Sequence, residues 1–227
     1  MLFRSPNPAW STFNLRMLLK NNGFRDFFIT RFMHRLNTIL SAEHTLPRLD
    51  SMTARIRGEL PRHWKRWNLD EKRWTQEIKK MQEFGTERPK YVRQHLRAMF
   101  PHVGNEVRLR VEVVGGGRVE IDGVVDVRAL YEGIYFQQLP LQMRARSTFR
   151  AQFSHWEVMG KRQEKDSIQV KFGNKDTLLV VRAIFREGQH PLAKSVVINE
   201  VCSHDSTAGD WVELFNPSEL PVNLKGW

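Results

Sequence analysis

The sequence predicts an α+β protein, with a helical array first and β modules after it. Three observations point there. Apolar residues recur at helical spacing through the first hundred positions, they switch to strand-like alternation after residue 101, and the charge changes at the same boundary. Residues 1–104 hold 20 Lys and Arg against 9 Asp and Glu, a net of +11, whereas residues 105–227 hold 16 of each. The formal charge of the whole chain therefore belongs to its helical half.

Each helix has its own start and stop signals. Ser11 is placed to cap a first helix with Phe13, Met17 and Leu18 on its apolar face, and Asn22 with Gly23 supplies a stop. A second helix over residues 24–40 aligns Phe24, Phe27, Phe28, Phe32, Leu36 and Ile39. A third, over 46–60, turns Leu49, Met52 and Ile56 inward and ends or bends at Pro61. After the Trp64 to Trp67 corner, Asp70 caps a helix over 71–84 lined by Trp74, Ile78, Met81 and Phe84. The last helix covers 88–100, with Pro89 in its first turn, where a missing N–H costs little.

The segment PHVGNE at 101–106 is rich in turn formers, and NEVRLRVEVV after it alternates as a half-buried strand does. Gly115, Gly116 and Gly117 predict a hairpin turn into RVEIDG. Further strands are expected in VDVRAL, PLQMRAR, FSHWEVM, SIQVKF and TLLVVRAIF. REGQHPLAK reads as a linker, with 189–194 at its centre. Beyond it, VVINEVC, DWVELFNP and PVNLKGW are short apolar runs bounded by turn formers. Residues 195–227 are too few to bury a core of their own, so this last unit is expected to be incomplete.

Composition narrows the function classes. With 227 residues, 41% of them apolar, the chain can fill a real core. The single cysteine, Cys202, excludes an internal disulfide and a cysteine-rich metal site. The N-terminal stretch lacks a signal peptide's apolar run, and no segment has the roughly 20 apolar residues that span a bilayer. A basic helical surface attracts nucleic acid or anionic lipid, but the arginines are spread from Arg16 to Arg66 as on a solvated face, and nucleic acid is not the expected partner.

No motif for catalysis emerges. The glycine triplet lacks the spacing of a dinucleotide fingerprint and the GKS or GKT ending of a phosphate loop. His34, His44, His63, His95, His102, His155, His190 and His204 form no HExxH pair and no zinc cluster, and His63 and His95 read as packing or surface residues. There is no GxSxG elbow, and Cys202 reads as a small buried thiol. The loop SHDSTAGD offers Asp205 and Asp210 as oxygen ligands but lacks the acidic ladder of a calcium loop. No catalytic, cofactor-binding or metal-binding residue is therefore assigned.

Three segments resemble known families. LLKNNGFRDFFITRFMHRLNTIL, LDSMTARIRGELPRHWKRW and RWTQEIKKMQEFGTERPKYVRQHLRAMF resemble the C-terminal helices of CotH (spore-coat protein H) kinase-like domains. Phe24, Arg25, Phe28, Arg31, Leu36, Asn37, Arg88, Pro89, His95 and Leu96 carry that likeness. GGGRVEIDG, YEGIYFQQLPLQMRAR and FSHWEV resemble a bacterial internalin-type repeat. INEV, DWVELFNP and PVNLKGW resemble the opening of a lamin-tail domain, an immunoglobulin-like sandwich. The likenesses divide the chain into a CotH-like helical portion at 1–104, a β-rich repeat region at 105–188, the linker at 189–194 and a truncated lamin-tail start at 195–227.

The CotH resemblance implies an atypical protein kinase that uses ATP and a divalent metal. It also implies that the acidic residues of that chemistry precede the helices present here, so none transfers to this chain and it needs no cofactor of its own. The expectation is a non-catalytic scaffold and interaction part of a secreted or surface protein. Protein, glycan or cell-envelope partners would meet its β modules, with kinase activity belonging to the full-length parent.

Overall fold

The computed structural model describes residues 10–148, 150–188, 195–203, 209–222 and 224, and the fold is α+β in the predicted order. The helices are α1 (Phe13–Leu18), α2 (Asn22–Asn37), α3 (Ala42–Ile56), α4 (Leu60–Trp67) and α5 (Glu71–Met99), followed by a 3-10 turn at Pro101–Val103. The strands are β1 (Glu106–Val114), β2 (Arg118–Ile121), β3 (Val125–Val127), β4 (Leu130–Phe136), β5 (Leu141–Arg146), β6 (Ala151–Val158), β7 (Lys161–Gln163), β8 (Ser167–Val170), β9 (Leu178–Glu187), β10 (Val197–Cys202) and β11 (Trp211–Phe215).

Capping side chains start two of the helices. Asn21 Oδ1 accepts from the Phe24 N–H at 3.0 Å at the head of α2, and Asp70 Oδ1 accepts from the Arg73 N–H at 2.5 Å at the head of α5. The two helices expected over 71–84 and 88–100 are one, because α5 runs unbroken through Gly85 and Pro89. Proline removes one intrahelical hydrogen bond, but Val92, Leu96 and Phe100 beyond it are buried in the core and hold the helix to its course.

The third helix differs more from its sequence pattern. It begins at Ala42, four residues earlier than expected, and none of its residues is buried; Met52, placed inward by periodicity, is 66% exposed. Pro61 starts α4 rather than merely ending α3, sitting in the first turn. Phe13, Met17 and Leu18 of α1 are exposed as well. The apolar stripes of the helical half are thus real but largely unburied.

The strands β1–β9 form two sheets. One has the order β4-β1-β9-β6-β7 and the other β3-β2-β5-β8. All neighbours are antiparallel except β1 and β9, which run parallel with Arg108 opposite Leu178 and Val114 opposite Ile184. The alternation read from the sequence places Val107, Leu109 and Val111 of β1, Met143 of β5 and Val181 of β9 inside. Trp156 fills the centre, fully buried, and its indole N–H donates to the Lys165 carbonyl at 2.9 Å. Outside, Arg110 and Arg182 bracket Glu112, and the Arg110 hydrogen bond is first among the causes that hold that carboxyl below its ordinary range.

Gly115–Gly117 do not make a hairpin turn. β1 and β2 lie in different sheets, and the triplet carries the chain across the sandwich beside Phe185. Gly115 has φ +94°, and a Cβ there would collide with the Phe185 carbonyl oxygen, so only glycine fits. The buried residues of α2 and α5, among them Ile29, Met33, Val92 and Leu96, join the residues between the sheets in one apolar cluster. At the C-terminal end, β10 and β11 pair with each other in a separate two-stranded sheet.

Candidate functional site

Two features of α2 and its neighbours could serve function: the polar junction with the sandwich and an apolar groove on the helices. The junction starts from helical spacing, since His34 and Asn37 lie three residues apart and so share a face of α2. Both reach β-sheet residues far away in sequence. His34 is fully buried; its Nε2 meets Asp122 Oδ2 at 2.8 Å and its Nδ1 meets the Tyr135 hydroxyl at 2.9 Å. The Tyr135 hydroxyl in turn meets that of Tyr131 at 2.7 Å.

The Asp-Gly turn between β2 and β3 aims the carboxylate. Asp122 adopts φ +49° and Gly123 φ +64°, the left-handed conformations this dipeptide favours. Asp122 Oδ1 accepts the Gln142 N–H at 2.8 Å, and the Asp122 N–H donates to the Gln142 carbonyl at 2.8 Å, so β5 holds the turn. An ionised carboxylate only accepts, which makes Nε2 of His34 the donor; in the tautomer whose single proton sits there, Nδ1 accepts from Tyr135. Tyr135 oxygen then accepts from Tyr131. Burial raises the ionisation of both phenols, that of Tyr135 well above its ordinary range, so the chain of donors stays protonated at neutral pH.

The junction is closed: each ring nitrogen of His34 and both carboxylate oxygens of Asp122 already have partners. It suits fixing α2 against the sandwich rather than turning over a substrate. Arg93 of α5 adds a bond to Glu106 of β1, Nε to Oε2 at 3.3 Å.

The groove lies between α3 and α5, with α2 at its base, and has a volume of about 560 Å³. Gly85 sets the approach of the two helices, since a Cβ there would meet Leu46 Cδ2 at 3.3 Å and Thr45 Oγ1 at 3.4 Å. Phe32, Leu36, Leu46, Leu49, Met81 and Phe84 give it an apolar lining. Met81 is 53% and Phe84 63% exposed. A neighbouring hollow of about 570 Å³, which contains Trp64 and Trp74, shares Glu77 with it, so the apolar surface continues along α5. Single exposed apolar residues are ordinary, but a lined groove marks a contact surface.

The structure scatters the residues considered for chemistry. His63 stacks obliquely on Trp67 at 6.5 Å, His95 is half-buried on α5, and His102 pairs with Asp26 at 2.8 Å. Asp205 lies outside the described residues, as do His190 and His204, while Asp210 is exposed. Among the described residues no three His, Cys, Asp or Glu side chains gather as a metal site, and no helix is long and apolar enough to cross a membrane. The importance of His34 was not visible in sequence, because its partners are 88 and 101 positions away. The Asp122-Gly123 turn was the one local signal.

No curated protein and no solved structure matches the chain. Residues 2–92, the stretch that contains α1 to α4 and most of α5, match the family described as CotH kinase protein, and the helical half is therefore similar to CotH-type kinases.

Proposed function

We propose that this chain is a supporting and interaction part of a CotH-type protein, in which the helices seat the segment that binds nucleotide and the β-sandwich holds those helices in place. The observation that carries this reading is the open α3–α5 groove. Helix α3 keeps its apolar face against α5 and buries none of its residues, so the array offers a prepared surface with nothing among the described residues packed on it. The His34–Asp122 and Asn37–Ile134 bonds supply rigidity behind that surface.

On this reading phosphoryl transfer belongs to the full-length protein and ATP with its divalent metal binds elsewhere than in this chain. We assign a display role outside the cell to the C-terminal end, and the β10–β11 sheet would give that role a surface. A bulge between Ile198 and Glu200 brings Ile198, Val201, Val212 and Leu214 to one face, and all four are exposed. Such a face is what an incomplete sandwich would leave uncovered.

The test uses the purified chain and a separately produced nucleotide-binding segment of a CotH-type kinase. The chain alone is expected to transfer no labelled phosphate from ATP and magnesium to a generic acceptor. It is expected to bind the segment, and Phe84→Glu should abolish that binding. Sustained incorporation by the chain alone, or binding indifferent to Phe84→Glu, would overturn the reading.

A further inference from the structure

A third cleft, of about 510 Å³, opens where α2 meets the β2–β3 turn and the β4–β5 connection. It is distinct from the groove and independent of the function proposed above. Its volume lies within the roughly 300–1,000 Å³ of ordinary small-molecule sites.

The charges on its walls are unequally satisfied. Asp122 is occupied by His34 and by the Gln142 N–H, and Asp26 by His102 at 2.8 Å and Arg25 at 3.6 Å. Arg31 is different. Its guanidinium lies 5.3 Å from the centre of the Phe27 ring, four residues back on the same helix, and it has no hydrogen-bond acceptor or ion-pair partner among the described residues. Stacking holds the planar group over the ring and leaves its N–H donors unused. Such a fork matches the two oxygens of a carboxylate.

The rest of the cleft describes what the carboxylate should be attached to. Phe27 is 58% exposed, and Leu139 with Pro140 adds apolar wall. Thr30 and Gln142 contribute short polar groups beside it. A chair-shaped sugar ring, with C–H groups on one face and hydroxyls around its edge, suits this combination. We propose that the cleft binds a uronate unit of an acidic glycan, with Arg31 holding the carboxylate and Phe27 supporting the pyranose ring.

Calorimetric titration of the full chain with glucuronate, glucose, benzoate and inorganic phosphate tests this. Glucuronate should saturate, and glucose, which lacks the carboxylate, should bind about tenfold more weakly or worse, as should glucuronate to Arg31→Gln. Arg31→Gln should fold normally, because Arg31 makes no ion pair among the described residues; Arg31→Lys, which keeps charge but loses the fork, should bind less tightly than the native chain. The proposal is overturned if glucuronate does not saturate or if either variant binds it as the native chain does. Benzoate binding as tightly would remove the sugar assignment, and phosphate binding as tightly would reduce the cleft to a simple anion site.

Discussion

Asn37 hydrogen-bonds both main-chain groups of Ile134. Its Nδ2 donates to the Ile134 carbonyl at 2.8 Å, and its Oδ1 accepts the Ile134 N–H at 3.0 Å. Ile134 belongs to β4, the edge strand beside β1, so the amide acts as a one-residue strand partner and covers an edge that would otherwise be open. Asn37→Ala leaves both groups without protein partners and should cost about 1–3 kcal/mol of unfolding free energy. Chemical denaturation measures it.

Gly133 makes that pairing possible. A Cβ there would lie 2.6 Å from the Tyr131 hydroxyl and 2.9 Å from Asn37 Nδ2, closer than real contacts allow. Gly133→Ala should therefore destabilise by about 1–3 kcal/mol, as overpacking does. Because it displaces Asn37 as well as Tyr131, its cost should not add fully to that of Asn37→Ala in a double-mutant cycle.

The proton positions at His34 give a sharper test. In the native chain Nε2 carries the proton toward Asp122. Asp122→Asn keeps the left-handed turn and an acceptor for the Gln142 N–H, but its amide would now donate to Nε2. The imidazole proton then moves to Nδ1 and the Tyr135 hydroxyl turns toward Tyr131. Nitrogen-15 spectra of the ring should report this change of tautomer with only modest loss of stability. Asp122→Ala, which strands the buried Nε2–H of His34, removes the acceptor of the exposed Gln142 N–H and suits positive φ poorly, should be at least about 1 kcal/mol less stable than Asp122→Asn.

Tyr135 predicts an alkaline limit. Burial, followed by the neighbouring Tyr131, raises its ionisation well above the ordinary phenol range. Between its unfolded and folded ionisation the native state holds the extra proton, so this contribution to stability is complete below about pH 10 and is lost as pH rises beyond it. Urea unfolding from pH 8 to 11 should show the decline. Tyr135→Phe should flatten it while lowering stability at pH 7, since Nδ1 of His34 loses its donor.

Local signals made the strand alternation, the Asp70 cap and the change from helix to sheet legible in the sequence. What escaped was long-range. Periodicity showed that α3 had an apolar face with Met52 and Ile56 on it, but not whether another element covers that face. It showed glycines at 115–117 but not that β1 pairs in parallel with β9 rather than with β2, because that register joins residues about seventy apart. His34 looked like any other histidine until Asp122 and Tyr135 met it in space. Pro89 looked like a helix start because the burial of Leu96 that keeps α5 continuous is a tertiary fact.

The contrast between the two sides of α5 yields the last prediction. Leu96 is buried in the shared core, so Leu96→Ala should cost about 2–5 kcal/mol through lost burial and the cavity it leaves. Met81 and Phe84 face the open groove on the same helix. Met81→Glu and Phe84→Glu should each stay within about 0.5 kcal/mol of the native chain, the range of surface substitutions. Arg88 stacks over Phe84 at 5.4 Å and loses only an exposed ring contact, with the new carboxylate as a replacement partner. If the groove already contributed to folding, the glutamates would lower the unfolding midpoint as Leu96→Ala does. Unchanged midpoints together with lost binding of a nucleotide-binding segment would separate a surface kept for contact from one that merely completes the core.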